Sequence, residues 1–233
     1  MMNRRSCLVA LLALPLAACV SSPAQFAKTD VDRMADLHRR EVTASLGRLA
    51  EKLYRRNPRE WKKGGHASLD AALAQLADPA RAAIAPEPEG RFGTAAVLAA
   101  LREDYGHDRV AAYVGGLANM LHDAFNGKTE FYIFDDLDAQ KLHNAARNVE
   151  IAAWKLANAR RNLPAGDLPA GAPLLFSNEM APVQNLSFER EFGRLAGNLD
   201  LLSRIVADKT NRSIVKVVQN LATAVFLPVP GLK

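Results

Sequence analysis

Apolar residues recur every three or four positions through most of this chain, which is the spacing of one face of an α-helix. The longest such segments run from 31 to about 57, 109–125, 138–162 and from 187 to about 206, and shorter ones cover 69–76, 80–84, 95–105 and 214–226. Asp30, Thr94, Asp108 and Asp138 stand where N-caps are needed. The pattern predicts an all-α fold, a single irregular bundle of six to seven helices over residues 30–233.

One segment has the composition of a strand. Residues 129–134 are aromatic and β-branched, and their candidate partner is 174–176, within a Pro- and Gly-rich loop at 164–182. A lone strand is not stable by itself. We therefore expect both segments to be irregular and packed on the helices, with a short extended pair as the alternative.

Composition narrows the class of protein. Of 233 residues, 49% are hydrophobic, so a folded core is expected, and the only cysteines are Cys7 and Cys19. A disulfide framework or a cysteine-based metal site in the body is therefore excluded. The net charge of +5 and the 6% aromatic content give little support to nucleic-acid binding.

The first nineteen residues have the sequence layout of a secretory signal. Arg4 and Arg5 precede an apolar stretch at 8–16, which is too short to span a bilayer. The Leu-Ala-Ala-Cys sequence at 16–19 then resembles the lipobox of bacterial lipoprotein precursors. The resemblance implies that residues 1–18 are removed and that Cys19 carries the acyl chains. The alternatives are an ordinary cleaved signal or a retained apolar anchor.

The same resemblance implies a place in the cell. Residues 19–29 become a lipidated tether, and the ten residues from Val20 reach roughly 35 Å when extended. The residue after the cysteine is Val20 and not Asp, which favours the outer membrane, facing the periplasm. We expect two partners, the membrane through its acyl chains and another envelope protein, and no nucleic acid.

Candidate chemistry is sparse. No two of the five histidines are three or four residues apart, no Gly-x-Ser-x-Gly elbow is present and no glycine-rich phosphate loop occurs. We therefore expect no metal and no cofactor. Glycan cleavage would need two carboxylates across a cleft, for which Glu103 and Glu150 are candidate acids.

One helix face combines several chemical groups that bind polar ligands. Its members are His143, Asn144, Arg147, Glu150 and Trp154. Most are three or four positions apart and so lie on one side of the predicted helix. They form a candidate site for a sugar or peptide. The alternative is an Arg147–Glu150 pair that supports the helix against the 164–182 loop.

A basic cluster ends the first predicted helix. It consists of Arg55, Arg56, Arg59, Lys62 and Lys63. Residues 31–65 hold ten Lys or Arg against five Asp or Glu, so this region could rest on anionic headgroups. A solvated helix end is the alternative. The segment 214–226 is expected to be a core helix, with an interfacial helix as its alternative.

These features favour a non-enzymatic, membrane-anchored lipoprotein that acts as an interaction or assembly module of the envelope. The alternatives are a lipid-anchored enzyme acting on envelope glycan or peptide, and a periplasmic small-ligand binding protein.

Overall fold

Seven helices form the regular structure of residues 28–77, 85–179 and 182–231, which are the residues that the computed structural model describes. They are α1 (Asp30–Arg56), α2 (Pro58–Lys63), α3 (Leu69–Ala77), α4 (Gly93–Ala100), α5 (Arg109–Ala124), α6 (Ala139–Asn158) and α7 (Ser187–Thr210). Those ranges contain no strand, and the predicted all-α bundle is confirmed. The predicted signal peptide, Cys19, most of the tether and the helix at 80–84 lie outside the described residues.

The ends of α1 follow from local chemistry. Its N-cap is Thr29 and not Asp30, because Thr29 and Asp32 form a reciprocal capping box. The backbone N–H of Thr29 donates to Asp32 Oδ2 at 2.7 Å, and the Thr29 hydroxyl accepts from the backbone N–H of Asp32 at 3.2 Å. At the other end the helix stops at Asn57, as predicted, and Pro58 opens α2.

The core lies between the long helices. α6 packs along α7, α7 along α1, and α4 along α5. Leu49 and Leu53 of α1, Leu117 of α5, Leu142 of α6 and Leu195 of α7 are completely buried in one apolar cluster. Burying such side chains contributes about 1.5–3 kcal/mol each, so these contacts dominate the stability of the bundle.

The helix predicted at 95–105, with Thr94 as its N-cap, begins earlier, at Gly93 after Phe92, and ends at Ala100. The reason for this early end is Arg109, which is 2% exposed and donates from Nη1 to the carbonyl of Ala100 at 2.7 Å and from Nη2 to that of Glu103 at 3.0 Å. A guanidinium thus satisfies carbonyls that would otherwise require further helical turns.

At Gly116 the backbones of α5 and α4 approach each other closely. A Cβ at Gly116 would lie 2.6 Å from the carbonyl oxygen of Gly93 and 2.8 Å from the backbone nitrogen of Val97. Close approach by α4 therefore accounts for this glycine.

The strand-like segment 129–134 forms an irregular loop, and the extended pair with 174–176 is not formed. Carboxylates take the N–H groups that a neighbouring strand would need. The backbone N–H of Phe131 donates to Asp36 Oδ1 at 2.9 Å, and that of Tyr132 donates to Asp135 Oδ2 at 3.0 Å. Only Phe131 turns inward and is buried.

The helix predicted at 214–226 is wrong, since residues 212–220 and 224–230 have no regular structure. Helical spacing of apolar residues predicts a helix only if that face finds a core to pack on. Here Val215 and Val218 are 68% and 95% exposed, and Ala224 is the one buried residue in the described part of this C-terminal segment.

Candidate functional site

Three members of the predicted ligand face on α6 join a carboxylate of α7. Arg147 pairs with Asp200 and also with Glu150, where Nη1 and Oε2 are 2.8 Å apart. His143 Nδ1 lies 3.6 Å from Asp200 Oδ1. The cluster links two packed helices, so Arg147 supports α6 against α7 and not against the 164–182 loop.

Burial shapes the protonation of this cluster. Desolvation and the nearby Arg147 guanidinium lower the pKa of His143, which favours the neutral imidazole. Burial raises the pKa of Glu150, with Arg147 acting in the opposite direction. No described residue lies within hydrogen-bond distance of the buried His143 Nε2.

The remaining two members do not join this cluster. Trp154 is half-buried, and its carbonyl accepts from Asn158 Nδ2 at 2.8 Å. Asn144 instead donates from Nδ2 to the carbonyl of Pro228 at 3.0 Å. The structure thus joins three of the five predicted residues in one cluster and ties Asn144 to the C-terminal segment.

Asn144 belongs to a row of amide side chains on α6 that holds the C-terminal segment. The row consists of Gln140, Asn144 and Asn148, and we call it the amide row. Gln140 Nε2 donates to the carbonyl of Val215 at 3.0 Å, and its Oε1 accepts from the Val215 N–H at 2.8 Å. The Gln140 side chain thus pairs with both polar groups of the Val215 backbone, as a neighbouring strand would.

The basic cluster is largely neutralised by neighbouring carboxylates. The pairs are Arg55 with Glu51, Arg56 with Glu179, Arg59 with Asp167 and Lys63 with Glu60. The remaining member, Lys62, lies 5.5 Å from the centre of the Trp61 ring. The local excess of charge read from residues 31–65 therefore overstates the positive potential here.

The basic cluster is also remote from the predicted tether. α1 has 27 residues and at 1.5 Å per residue is about 40 Å long. The tether enters at its first residue and the cluster lies at and beyond its last. Membrane contact by the cluster stays a prediction that requires the helix to lie flat on the surface.

Glu103 has the environment of a structural carboxylate. It accepts hydrogen bonds from the backbone N–H groups of Leu163 at 3.0 Å and Asn162 at 2.9 Å, and these bonds lower its pKa. They also hold the chain just beyond α6, which ends at Asn158 and not at 162 as predicted. A general acid needs a raised pKa, so the environment of Glu103 is unsuited to that role.

An apolar cavity of about 350 Å³ lies where α1, α3 and α5 meet. Its walls include Val42, Leu46, Leu73, Val114 and Leu121. Ligand pockets commonly have volumes of roughly 300–1,000 Å³ and apolar walls with a few polar groups. This apolar cavity has that character.

Polar groups of the apolar cavity include two at the end nearer the start of α1. Arg39 of α1 and His122 of α5 both line it there. Burial lowers the pKa of Arg39, with the charge of Asp36 acting in the opposite direction. Within the described residues, Arg39 forms no ion pair or hydrogen bond. A partly desolvated guanidinium of this kind is suited to an anionic group.

A second cavity of about 390 Å³ lies at the start of α5 and is lined in part by His66, His107 and Asp108. Asp108 is committed to the fold: it caps α5 and accepts from the Tyr54 hydroxyl at 2.9 Å. Burial raises its pKa against these hydrogen bonds. Within the described ranges, no cluster of three or more His, Cys, Asp or Glu residues is arranged to hold a metal ion.

Comparison with known proteins gives no family. No family model matches this chain, and no curated protein or solved structure matches it. None of the helices in the described part of the chain combines the length and the apolar character needed to cross a bilayer.

Proposed function

We propose that this protein is a lipid-anchored envelope protein whose helical body binds an anionic amphiphile in the apolar cavity. The observation that carries this proposal is the pairing of apolar walls with Arg39 at one end of the cavity. An acyl chain would remove apolar surface from water, at about 25 cal/mol per Å². A carboxylate or phosphate on that chain would lie against Arg39.

The predicted anchor supports the choice of ligand. Acylation at Cys19 would hold the body beside a bilayer, where fatty acids and phospholipids are abundant. Binding is favoured over catalysis because, among the described wall residues, no hydroxyl hydrogen-bonds to a histidine or a carboxylate, as an activated nucleophile requires. The predicted partner protein remains a prediction.

Replacing Gly47 by leucine tests this proposal, because the new side chain would fill the apolar cavity without straining the fold. Gly47 lines the cavity, and a Cβ built on it has no atom within 4 Å. The Gly47→Leu side chain would therefore occupy the space meant for an acyl chain. Gly193→Leu is the matched control, since Gly193 is exposed on α7 and also open. Both changes raise helix propensity by roughly 0.8–1 kcal/mol.

The measurement is photolabelling of the membrane-bound protein by hexadecanoic acid that carries a diazirine. We expect the label in residues 42–51 and 114–125 of the unchanged protein and of Gly193→Leu, with a large loss in Gly47→Leu. Labelling that is equal in all three, or that lies elsewhere in the body, would contradict binding in the apolar cavity.

The role of Arg39 is tested separately. Arg39→Gln should weaken labelling by the acid, because the anion loses its partner, by roughly tenfold if 1.4 kcal/mol is lost. Labelling by the corresponding diazirine alcohol, which has no charge, should be unchanged. An equal effect on acid and alcohol would show that Arg39 shapes the cavity but does not recognise an anion.

A further inference from the structure

Lys28, two residues before α1, is held by several contacts at one end of the bundle. Lys28 Nζ lies 2.5 Å from Asp36 Oδ2 and 3.4 Å from Glu130 Oε2, and 4.6 Å from the centre of the Tyr132 ring. Nine peptide units separate Lys28 from Cys19, and at 3.3–3.6 Å each they reach about 30 Å. A lipid on Cys19 would keep this end of the bundle, which we call the tether face, close to the bilayer.

The tether face carries an apolar tip without a partner among the described residues. Ile133 and Phe134 form a turn in which their side chains are 52% and 93% exposed. The turn is held firmly, since Phe131 beside it is buried and Lys128 pairs with Asp135 across its base. Two adjacent large apolar side chains exposed on a held turn are suited to insertion into another apolar phase.

Cations lie on the same end of the bundle. The end of α7 packs beside the start of α1, where Lys209 Nζ is 3.5 Å from Asp32 Oδ1. Arg204, Arg212 and Lys216 line a shallow depression there beside the exposed Asp208, and the three cations form no ion pair within the described ranges. These three charges, unlike the basic cluster, remain available to lipid phosphates.

Acidic groups near the apolar tip limit how deeply it could enter an apolar phase. Glu130 is occupied by Lys28 and by the Tyr132 hydroxyl, which donates to it at 2.7 Å. Asp136 is exposed beside the tip. Removing the Asp136 carboxylate from water would be costly, so only the side chains of Ile133 and Phe134 should enter the apolar phase.

We propose that the tether face lies on the membrane, with Ile133 and Phe134 inserted among the lipid chains and Arg204, Arg212 and Lys216 against lipid phosphates. This inference rests on the proposed lipid anchor and is independent of the apolar cavity. It orients the body: α1 stands away from the bilayer, and the basic cluster lies far from it.

The test is fluorescence quenching of the full acylated protein, purified from membranes and reconstituted in vesicles of phosphatidylglycerol and dibrominated phosphatidylcholine. Phe134→Trp places a reporter at the tip. Leu163→Trp is the control, since Leu163 is 70% exposed just beyond α6, at the opposite end of the bundle. The natural Trp61 and Trp154 also lie toward that end, and the unchanged protein gives their background.

We expect the added emission of Phe134→Trp to be largely lost in brominated vesicles and that of Leu163→Trp to be kept. Replacing phosphatidylglycerol by a zwitterionic lipid should reduce the quenching, and Arg204→Gln/Arg212→Gln/Lys216→Gln should remove this dependence. Unquenched Phe134→Trp in protein that floats with the vesicles, or equal quenching of both reporters, would overturn the inference. Failure to float would overturn the anchor and the tether face together, whereas photolabelling of the apolar cavity tests the ligand separately.

Discussion

The side chain of Asn148 forms both hydrogen bonds of a peptide group with Leu227, 79 residues further along the chain. Its Nδ2 donates to the Leu227 carbonyl at 2.8 Å, and its Oδ1 accepts from the Leu227 N–H at 2.7 Å. Asn148 is completely buried, so its amide has no water as a substitute for these two bonds. Within the amide row, Asn148 is the residue that fixes Leu227 on the bundle.

Asn148→Ala should therefore release that segment. Both polar groups of Leu227 lose their partner, and we expect unfolding by urea to show a loss of about 2–3 kcal/mol. Asn158→Ala is the control, because Asn158 is exposed and its side chain bonds, among the described residues, only to the carbonyl of Trp154. Its effect should stay within about 0.5 kcal/mol. Similar stability of the two variants would show that the amide row does not hold the segment.

Local signals predicted much of this fold. Asp108 and Asp138 were predicted as N-caps from sequence, and each accepts two backbone N–H groups of the helix that follows it. Such a cap depends on residues only two or three positions apart. The 214–226 segment depends instead on Asn148, and the apolar spacing of the segment itself carries no information about that contact.

The candidate site could not be predicted from the sequence, for a related reason. Asp200, the partner of Arg147, lies on another helix, and i to i+3 spacing indicates only the Glu150 part of the cluster. The apolar cavity is a space that three helices leave unfilled. Its signals in the sequence are small residues such as Gly47 and Ala118, which are common in helices for many reasons.

Replacing Tyr113 by phenylalanine should stabilise the protein. The Tyr113 side chain is fully buried, and no described residue is within hydrogen-bond distance of its hydroxyl. Tyr113→Phe removes a desolvated polar group that has no protein partner, so we expect stability to rise by about 1 kcal/mol. Tyr54→Phe should have the opposite effect by a similar amount, because the Tyr54 hydroxyl donates to Asp108. A destabilised Tyr113→Phe would reveal a bound water on that hydroxyl.

His143 should make stability depend on pH. Its pKa is lowered in the folded state by burial and by Arg147, so below about pH 6.5 the unfolded chain binds a proton that the folded chain does not. Stability should then fall as the pH drops below 6.5, toward the lowered pKa. The groups that face it are Arg147, Asp200 and Lys216.

The difference between the unchanged protein and His143→Gln isolates this effect. Glu150, whose pKa is raised, titrates nearby with the opposite sign but is common to both proteins. Thermal unfolding from pH 5 to 8 should show a steeper loss on the acid side in the unchanged protein. Parallel curves would mean that His143 titrates alike in the folded and unfolded states.

Gly115 and Gly116 are neighbours on α5 that should respond oppositely to alanine. A Cβ at Gly116 would meet backbone atoms of Gly93 and Val97, which cannot move without shifting α4. Such overpacking costs about 1–3 kcal/mol, and because these neighbours are rigid we expect a cost near 3 kcal/mol. This cost exceeds the gain of about 1 kcal/mol in helix propensity. At Gly115 no atom lies within 4 Å, so Gly115→Ala should keep the whole gain. Urea unfolding should therefore place Gly116→Ala below the unchanged protein and Gly115→Ala above it. If both variants were stabilised, α4 would have to pack less closely on α5 than these distances require.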